Sequence, residues 1–227
     1  MWIAPCNVHP VRPPRAVLFD LDGTLLDTAP DFVLALNALR TEETLPPLAD
    51  IAIRPHVSHG SAALIRAGFG IGLDDQEFER LRLRLLELYA RVLAQATVPF
   101  AGVEDVLTSL EARGLPWGIV TNKPAWLTTP LVAALGFDKR AACVISGDST
   151  ARAKPYPEPL LAAASALNIC PADCLYIGDA ERDIEAARAA GMAVLVALYG
   201  YIGVDDCPER WGADGSIACA RDLLAWI

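Results

Sequence analysis

Four aspartates and two of the three lysines have the types and spacing for phosphate chemistry. Asp20 and Asp22 stand two apart in Asp20-Leu21-Asp22-Gly23-Thr24, Asp179 follows Gly178, and Asp183 lies four residues beyond Asp179. That last spacing puts Asp183 on the same face of a following helix. Asp20, Asp22 and Asp179 could surround a hard cation, which needs oxygen ligands, and Asp183 could ligate it directly or hold one of its waters. Magnesium suits such a site because it keeps several waters and shares its shell with a phosphate. The chain has only Lys123, Lys139 and Lys154 as lysines. Lys154 precedes the stiff segment Pro155-Tyr156-Pro157-Glu158-Pro159, where its compact charge can neutralise a nucleophile and a transferring phosphoryl group. Lys123 follows Thr121-Asn122, whose hydroxyl and amide can donate to phosphate oxygens. A carboxylate nucleophile divides hydrolysis into two steps through an aspartyl-phosphate. A second carboxyl can protonate the leaving alkoxide and then activate water.

These residues need a scaffold, and the bulk composition permits one. The 227 residues are 53% apolar, enough for one large domain or a domain with a smaller lobe. With 21% charged residues the chain is not of the disordered class. The net charge of −9 disfavours nonspecific binding to nucleic acid or an anionic membrane. It also means that an anionic substrate must find local positive charge, from a metal, placed cations or helix N-termini. The six cysteines form no CxxC pair; Cys170 and Cys174 lack a second pair or a nearby His for zinc. They read as reduced thiols of a cytoplasmic protein. No apolar run reaches transmembrane length. Residues 1–14, with four prolines, read as a poorly ordered extension.

Ala16-Val17-Leu18-Phe19 is a short apolar run of the kind that forms a strand buried on both faces, and it ends at Asp20. Thr28-Ala29-Pro30-Asp31 predicts a helix start, with Thr28 as cap and an acid three residues on. From there to about Thr97 the pattern is helical; Phe78, Leu81, Leu85, Leu88 and Val92 share one face. Beyond Val98-Pro99-Phe100-Ala101-Gly102 the rhythm alternates. Helices are expected over 104–113, 126–135, 158–167 and 180–190, and strands over 117–120, 143–145, 175–177 and 193–197. Gly114, Gly136 and Gly191 act as helix stops. The alternation predicts an α/β fold with a parallel sheet covered by helices, interrupted by an inserted helical lobe. In open α/β sheets ligands sit at the carboxyl ends of strands. Asp20, Thr121-Asn122 and Gly178-Asp179 are three such ends.

Two other patterns compete poorly. An EF-hand loop needs Gly sixth and Glu twelfth, but counting from Asp20, Gly23 is fourth and Asp31 twelfth. Gly68-Phe69-Gly70-Ile71-Gly72 lacks the third glycine of a GxGxxG loop and a preceding strand; it reads as a helix stop inside the lobe. His9, His56 and His59 lack metal-ligand spacing.

Taken together, the segments resemble a known family. Asp20-Leu21-Asp22-Gly23-Thr24-Leu25-Leu26-Asp27-Thr28 is similar to the first motif of haloacid-dehalogenase-superfamily phosphatases, Thr121-Asn122-Lys123 to the second, Lys154-Pro155 to the third, and Gly178-Asp179 with Asp183 to the fourth. All four occur in order over about residues 15–220. The resemblance implies a Rossmann-like core, 15–27 with 98–227, and a helical cap over 28–97. It implies Asp20 as nucleophile and metal ligand, and Asp22 as general acid/base with its carbonyl on the metal. Thr121 and Lys154 would hold the phosphoryl group, and Asp179 would complete the magnesium site with Asp183 nearby. A carboxyl at Asp22 separates phosphatases from the dehalogenases of the superfamily. Gly23, Thr24 and Asn122 are candidate substrate-binding residues. From the cap, Arg54 and His59 could reach a substrate carboxylate or sugar. Trp117-Gly118-Ile119-Val120-Thr121-Asn122-Lys123-Pro124, Tyr199-Gly200-Tyr201-Ile202 and Trp211-Gly212-Ala213-Asp214 are similar to the phosphoglycolate phosphatase group, and within it to bacterial N-acetylmuramic acid 6-phosphate phosphatases. Where that group often has a glycine-rich turn, this chain has Arg54-Pro55-His56-Val57-Ser58-His59-Gly60. The expected partner is a small phosphate ester. A sugar phosphomutase on the same core, or a non-catalytic phosphate-binding protein, are the alternatives; the oligomeric state is not legible.

Overall fold

The computed structural model describes residues 13–227; most of the expected extension, with Cys6 and His9, lies outside the described residues. The first strand, β1 (Ala16–Phe19), is fully enclosed. Its side chains alternate as the pleat demands: Val17 and Phe19 enter one apolar cluster, Ala16 and Leu18 the other. A tight turn leads to a two-residue strand, β2 (Leu26–Asp27), and then to α1 (Ala29–Glu42), α2 (Asp50–Ile53), α3 (Gly60–Phe69) and α4 (Phe78–Val92). The chain returns through β3 (Val98–Pro99), which pairs antiparallel with β2. It continues through α5 (Val103–Ala112), β4 (Trp117–Val120), α6 (Ala125–Ala134), β5 (Cys143–Ile145), α7 (Glu158–Leu167), β6 (Cys174–Gly178), α8 (Glu181–Ala189), β7 (Ala193–Ala197) and β8 (Gly215–Ile217).

Six strands form one parallel sheet in the order β5-β4-β1-β6-β7-β8. On one face Val106, Leu107 and Leu110 of α5 and Leu131 of α6 pack against Val17, Ile119 and Ile177. On the other, Leu160 and Ala163 of α7 and Ile184 and Ala187 of α8 cover Leu18, Tyr176 and Val194. The sheet is thus the middle of three layers, and its strands need apolar side chains on both faces. Strand order reverses on either side of β1, so the carboxyl ends of β1, β4 and β6 border a crevice, the usual ligand position in such sheets.

The helices α1–α4 share a separate apolar cluster, including Leu36, Ile53, Leu64, Leu81 and Leu85. Phe32 of α1 stacks on Tyr89 of α4 with centroids 3.8 Å apart. Arg40 closes the far side by donating to the carbonyls of Gly68 and Pro46. Gly70 ends α3 in the left-handed conformation at φ 69°, the helix stop expected from the glycine-rich run.

The expected strands 117–120, 143–145 and 193–197 and the helix 158–167 are all present, and the expected helices 104–113, 126–135 and 180–190 and strand 175–177 differ by one residue at each end. The helix start at Thr28 needs correction. Thr28 makes no side-chain cap, because its hydroxyl donates instead to Asp22 Oδ1 at 2.6 Å. Asp31 does not cap either. It accepts from the Ala96 amide at 2.8 Å and the Thr97 hydroxyl at 2.6 Å, joining the beginning of the helical segment to its end. The β2–β3 ribbon and β8 are additions that the pattern did not indicate.

Candidate active site

Asp20 emerges where β1 ends, its amide held by the Ile177 carbonyl at 2.9 Å. Asp179 follows β6, and Asp183 occupies the first turn of α8. Parallel pairing of β1 with β6 therefore brings together residues far apart in sequence. One oxygen from each of Asp20, Asp179 and Asp183 lies within 4.8 Å of the others, and all three side chains are buried. Lys154 Nζ sits against Asp20 Oδ1 at 2.8 Å and Asp183 Oδ1 at 2.7 Å. It also donates to the Val120 carbonyl and the Tyr176 hydroxyl. The second oxygen of Asp183 accepts from the Ala180 amide at 3.1 Å. Asp179 receives Ser58 Oγ at 2.6 Å, the Tyr201 amide at 2.9 Å and Thr24 Oγ1 at 3.2 Å.

The cations present do not fully compensate these carboxylates. Burial pushes Asp20 up to about 6, with Lys154 opposing the shift and Asp183 adding to it. Burial, then the charges of Asp20 and Asp183, pushes Asp179 up to about 7. Hard oxygen donors within reach of one another, and short of positive charge, fit a divalent cation.

Asp22 faces elsewhere. Leu21 is fully buried, and the chain folds back so that the Leu25 and Leu26 amides both reach the Leu21 carbonyl. This turn swings the Asp22 carboxylate out of the acidic cluster. Its Oδ1 accepts from Lys123 Nζ at 2.7 Å and from Thr28. Only the Asp22 carbonyl turns toward the cluster, 3.4 Å from the Ser58 hydroxyl that also binds Asp179. Asp22 could therefore serve a cation through its main chain and not its carboxylate. Lys123 Nζ also lies 4.9 Å and 4.7 Å from the ring centres of Phe32 and Tyr89, so this cation links the sheet to the helical lobe.

A cavity of about 230 Å³ opens beside Asp20 and Asp22. Thr121, Asn122 and Lys123 border it from the sheet, and Ser58, Ser61 and Arg82 from the lobe. Phe32, Leu86 and Leu127 supply apolar wall. Thr121 is buried, and its oxygen accepts from the Lys123 amide at 3.1 Å. The other residues named from the sequence have the following neighbours. Asn122 borders the cavity, but its side-chain amide exchanges hydrogen bonds with the Lys154 backbone at 2.8 and 2.9 Å. It thus holds the lysine loop. Thr24 is buried against Asp179. Gly23 has φ +91°, its amide bonds the Leu26 carbonyl, and a Cβ there would lie 2.1 Å from Asp179 Oδ2. Its role is to let Asp179 approach. Arg54 is drawn to Asp27 at 2.6 Å and lies over the Tyr201 ring, at the foot of the lobe. His59 lines a second cavity, with Asp179, Arg182, Glu185 and Asp206, and its Nε2 is 4.0 Å from Asp206.

Ser58 and Arg182 were not anticipated. Arg182 donates to the Ser58 carbonyl and borders both cavities. Its position directly before Asp183 in the first turn of a helix was a usable signal. Ser58 offered none, because only folding brings it to Asp179.

The haloacid dehalogenase-like hydrolase family model matches residues 17–197. The chain belongs to that family. This hydrolase is 44% identical over 210 residues to the N-acetylmuramic acid 6-phosphate phosphatase of Pseudomonas aeruginosa, covering 92% of this chain and 93% of the relative. It is 47% identical over 204 residues to the phosphoglycolate phosphatase of Xanthomonas campestris pv. campestris, covering 90% and 92%. Among solved structures, that of a predicted phosphoglycolate phosphatase from Haemophilus somnus 129PT superposes with a TM-score of 0.82 at 26% identity, covering 95% of this hydrolase and 98% of the other chain. The five described cysteines are free. Among the described residues no helix is long and apolar enough to cross a membrane.

Proposed function

We propose that this hydrolase cleaves a small phosphate monoester through an aspartyl-phosphate on Asp20. The observation that carries the reading is the division of labour between two nearby carboxylates. Asp20 sits in the acidic cluster, paired with Lys154, while Asp22 is turned away to Lys123 and Thr28 on the border of the same cavity. Asp20 attacks phosphorus as the bond to the leaving oxygen breaks, and Asp22 gives that oxygen a proton. Asp22 then takes a proton from the water that hydrolyses the aspartyl-phosphate. Lys154 keeps the nucleophile oriented between Val120, Tyr176 and Asp183. Thr121 faces the cavity, where its hydroxyl can donate to a phosphate oxygen. Asp20, Asp179 and the Asp22 carbonyl would hold magnesium, with Asp183 behind them. When bound, magnesium supplies positive charge that offsets the carboxylates and the phosphoryl oxygens.

We assign residues 28–97 as the cap and residues 15–27 with 98–227 as the catalytic core, because Ser61, Arg82 and Leu86 of the lobe line the same cavity as Asp20 and Thr121 of the sheet. The cavity lies below the range usual for drug-sized ligands, in keeping with a compact metabolite. The names of the relatives suggest 2-phosphoglycolate and N-acetylmuramic acid 6-phosphate as substrates, both of which carry a carboxylate. The free thiols support a cytoplasmic setting.

The test is a phosphate-release panel with magnesium, comparing those two esters with hexose phosphates. Magnesium-dependent release from at least one carboxylate-bearing ester is expected. Release that persists undiminished in Asp20→Asn would refute the nucleophile assignment.

A further inference from the structure

Asp179 is 1% exposed, and two of its three hydrogen-bond donors, Thr24 and the Tyr201 amide, come from the sheet side. The shortest bond comes from elsewhere. Ser58, in the turn between α2 and α3, lies 121 residues away in sequence, and its hydroxyl donates to Asp179 Oδ2 at 2.6 Å. The same oxygen is 3.4 Å from the Asp22 carbonyl, so one lobe hydroxyl touches two of the groups placed toward magnesium. Arg182 of α8 donates to the Ser58 carbonyl and holds the residue from its backbone side. Packing leaves little freedom: a Cβ on Gly23 would lie 2.1 Å from Asp179 Oδ2 and 2.8 Å from Ser58 Oγ.

We propose that Ser58 is a positioning residue for the metal: seated on the core by Arg182, it orients Asp179, so that metal affinity depends on the lobe being in place. The inference rests on the magnesium-site reading above. A hydroxyl that donates to a ligating carboxylate fixes the orientation of that carboxylate. Displacing the lobe withdraws this donor and leaves Asp179 with its two sheet-side partners. Ser58 and Arg182 also border the substrate cavity, so a substrate that draws the lobe onto the core tightens metal binding, and by linkage the metal tightens substrate binding.

The test is calorimetric titration of the full chain with Mg2+ alone, without substrate, for wild type, Ser58→Ala and Ser58→Thr. Ser58→Ala is expected to weaken Mg2+ binding roughly 10- to 100-fold, the range for loss of a group that supports a metal ligand. Ser58→Thr keeps the hydroxyl and is expected to recover most of the affinity. Circular dichroism establishes that each variant is folded. Should Ser58→Ala fail to fold, the Thr variant is compared with Ser58→Gly. Equal Mg2+ affinity in wild type and Ser58→Ala would overturn the inference while leaving the metal site standing, as would a Thr variant as weak as Ala. A wild-type chain that binds no Mg2+ would instead overturn the magnesium reading itself, and this inference with it.

Discussion

Replacing Asp20 by Asn should abolish turnover and yet leave the metal-free protein at least as stable as wild type at pH 8. Asp20 is buried and held at about 6 against an ordinary 3.8. At ~1.4 kcal/mol per pH unit, keeping it ionised well above pH 6 costs the folded state about 3 kcal/mol. Asn is nearly the same size, carries no charge and can still accept from Lys154 Nζ. The value of about 6 already contains the pull of Lys154, so the further loss is the cost of burying an amide NH2 without a matched acceptor, on the order of 1–2 kcal/mol. The net change is a gain of about 1–2 kcal/mol at pH 8. Because the folded-state value lies above the unfolded one, the carboxyl binds its proton more tightly in the folded state. Its penalty is absent below about pH 4, grows through pH 6 and is complete above it. At pH 5 the two proteins should therefore differ little. Urea unfolding in EDTA at pH 5 and pH 8 measures the difference directly, while phosphate release should fall on the order of 10⁴-fold or more for loss of a nucleophile. A variant less stable than wild type by more than about 1 kcal/mol at pH 8, or a difference that does not change with pH, would refute the charge-deficit reasoning.

The same reasoning applies to metal addition: with Asp20 near 6 and Asp179 near 7, protons and Mg2+ compete, so the rise in unfolding temperature at fixed Mg2+ should be larger at pH 8 than at pH 5.5, and an equal rise at both would contradict it. Lys123→Met removes the cation from Asp22 and from the Phe32–Tyr89 pair; kcat should fall roughly 10²-fold, within the range of acid–base contributions, with the circular dichroism spectrum unchanged. Arg82→Ala should raise KM for a carboxylate-bearing phosphate ester about tenfold and change KM for p-nitrophenyl phosphate little, whereas His59→Ala, facing the other cavity, should leave both values within about twofold; the reverse pattern in steady-state kinetics would move the substrate to the His59 side. Leu85→Ala in the fully buried lobe face should cost 2–5 kcal/mol in urea unfolding.

The alternation of apolar runs with helical stretches was enough to order the sheet-forming core, because strands covered on both faces must be apolar throughout and are short. Ala16–Phe19 stands out for that reason, and with it the position of Asp20. β8 escaped notice because Gly215-Ser216-Ile217 has no apolar run, and pairing with β7 holds it at the sheet edge. β2 and β3 are two residues each, too short for any period to register.

At the site, the sequence by itself determined which groups could do the chemistry: four carboxylates, two lysines and a threonine. Tertiary structure decided what each one faces. Asp20 and Asp22 are near neighbours in the chain, yet the Leu21 turn sends one carboxylate to the acidic cluster and the other to Lys123. Asn122 and Thr24 became supports for Lys154 and Asp179, since buried polar groups bond to whatever packing places beside them. Ser58 reached Asp179 across 121 residues, and His59, its neighbour, was turned to a different cavity. Local pattern fixes which face of a strand or helix a residue occupies. Which distant residue it meets is decided by how the elements pack, and no spacing along the chain records that.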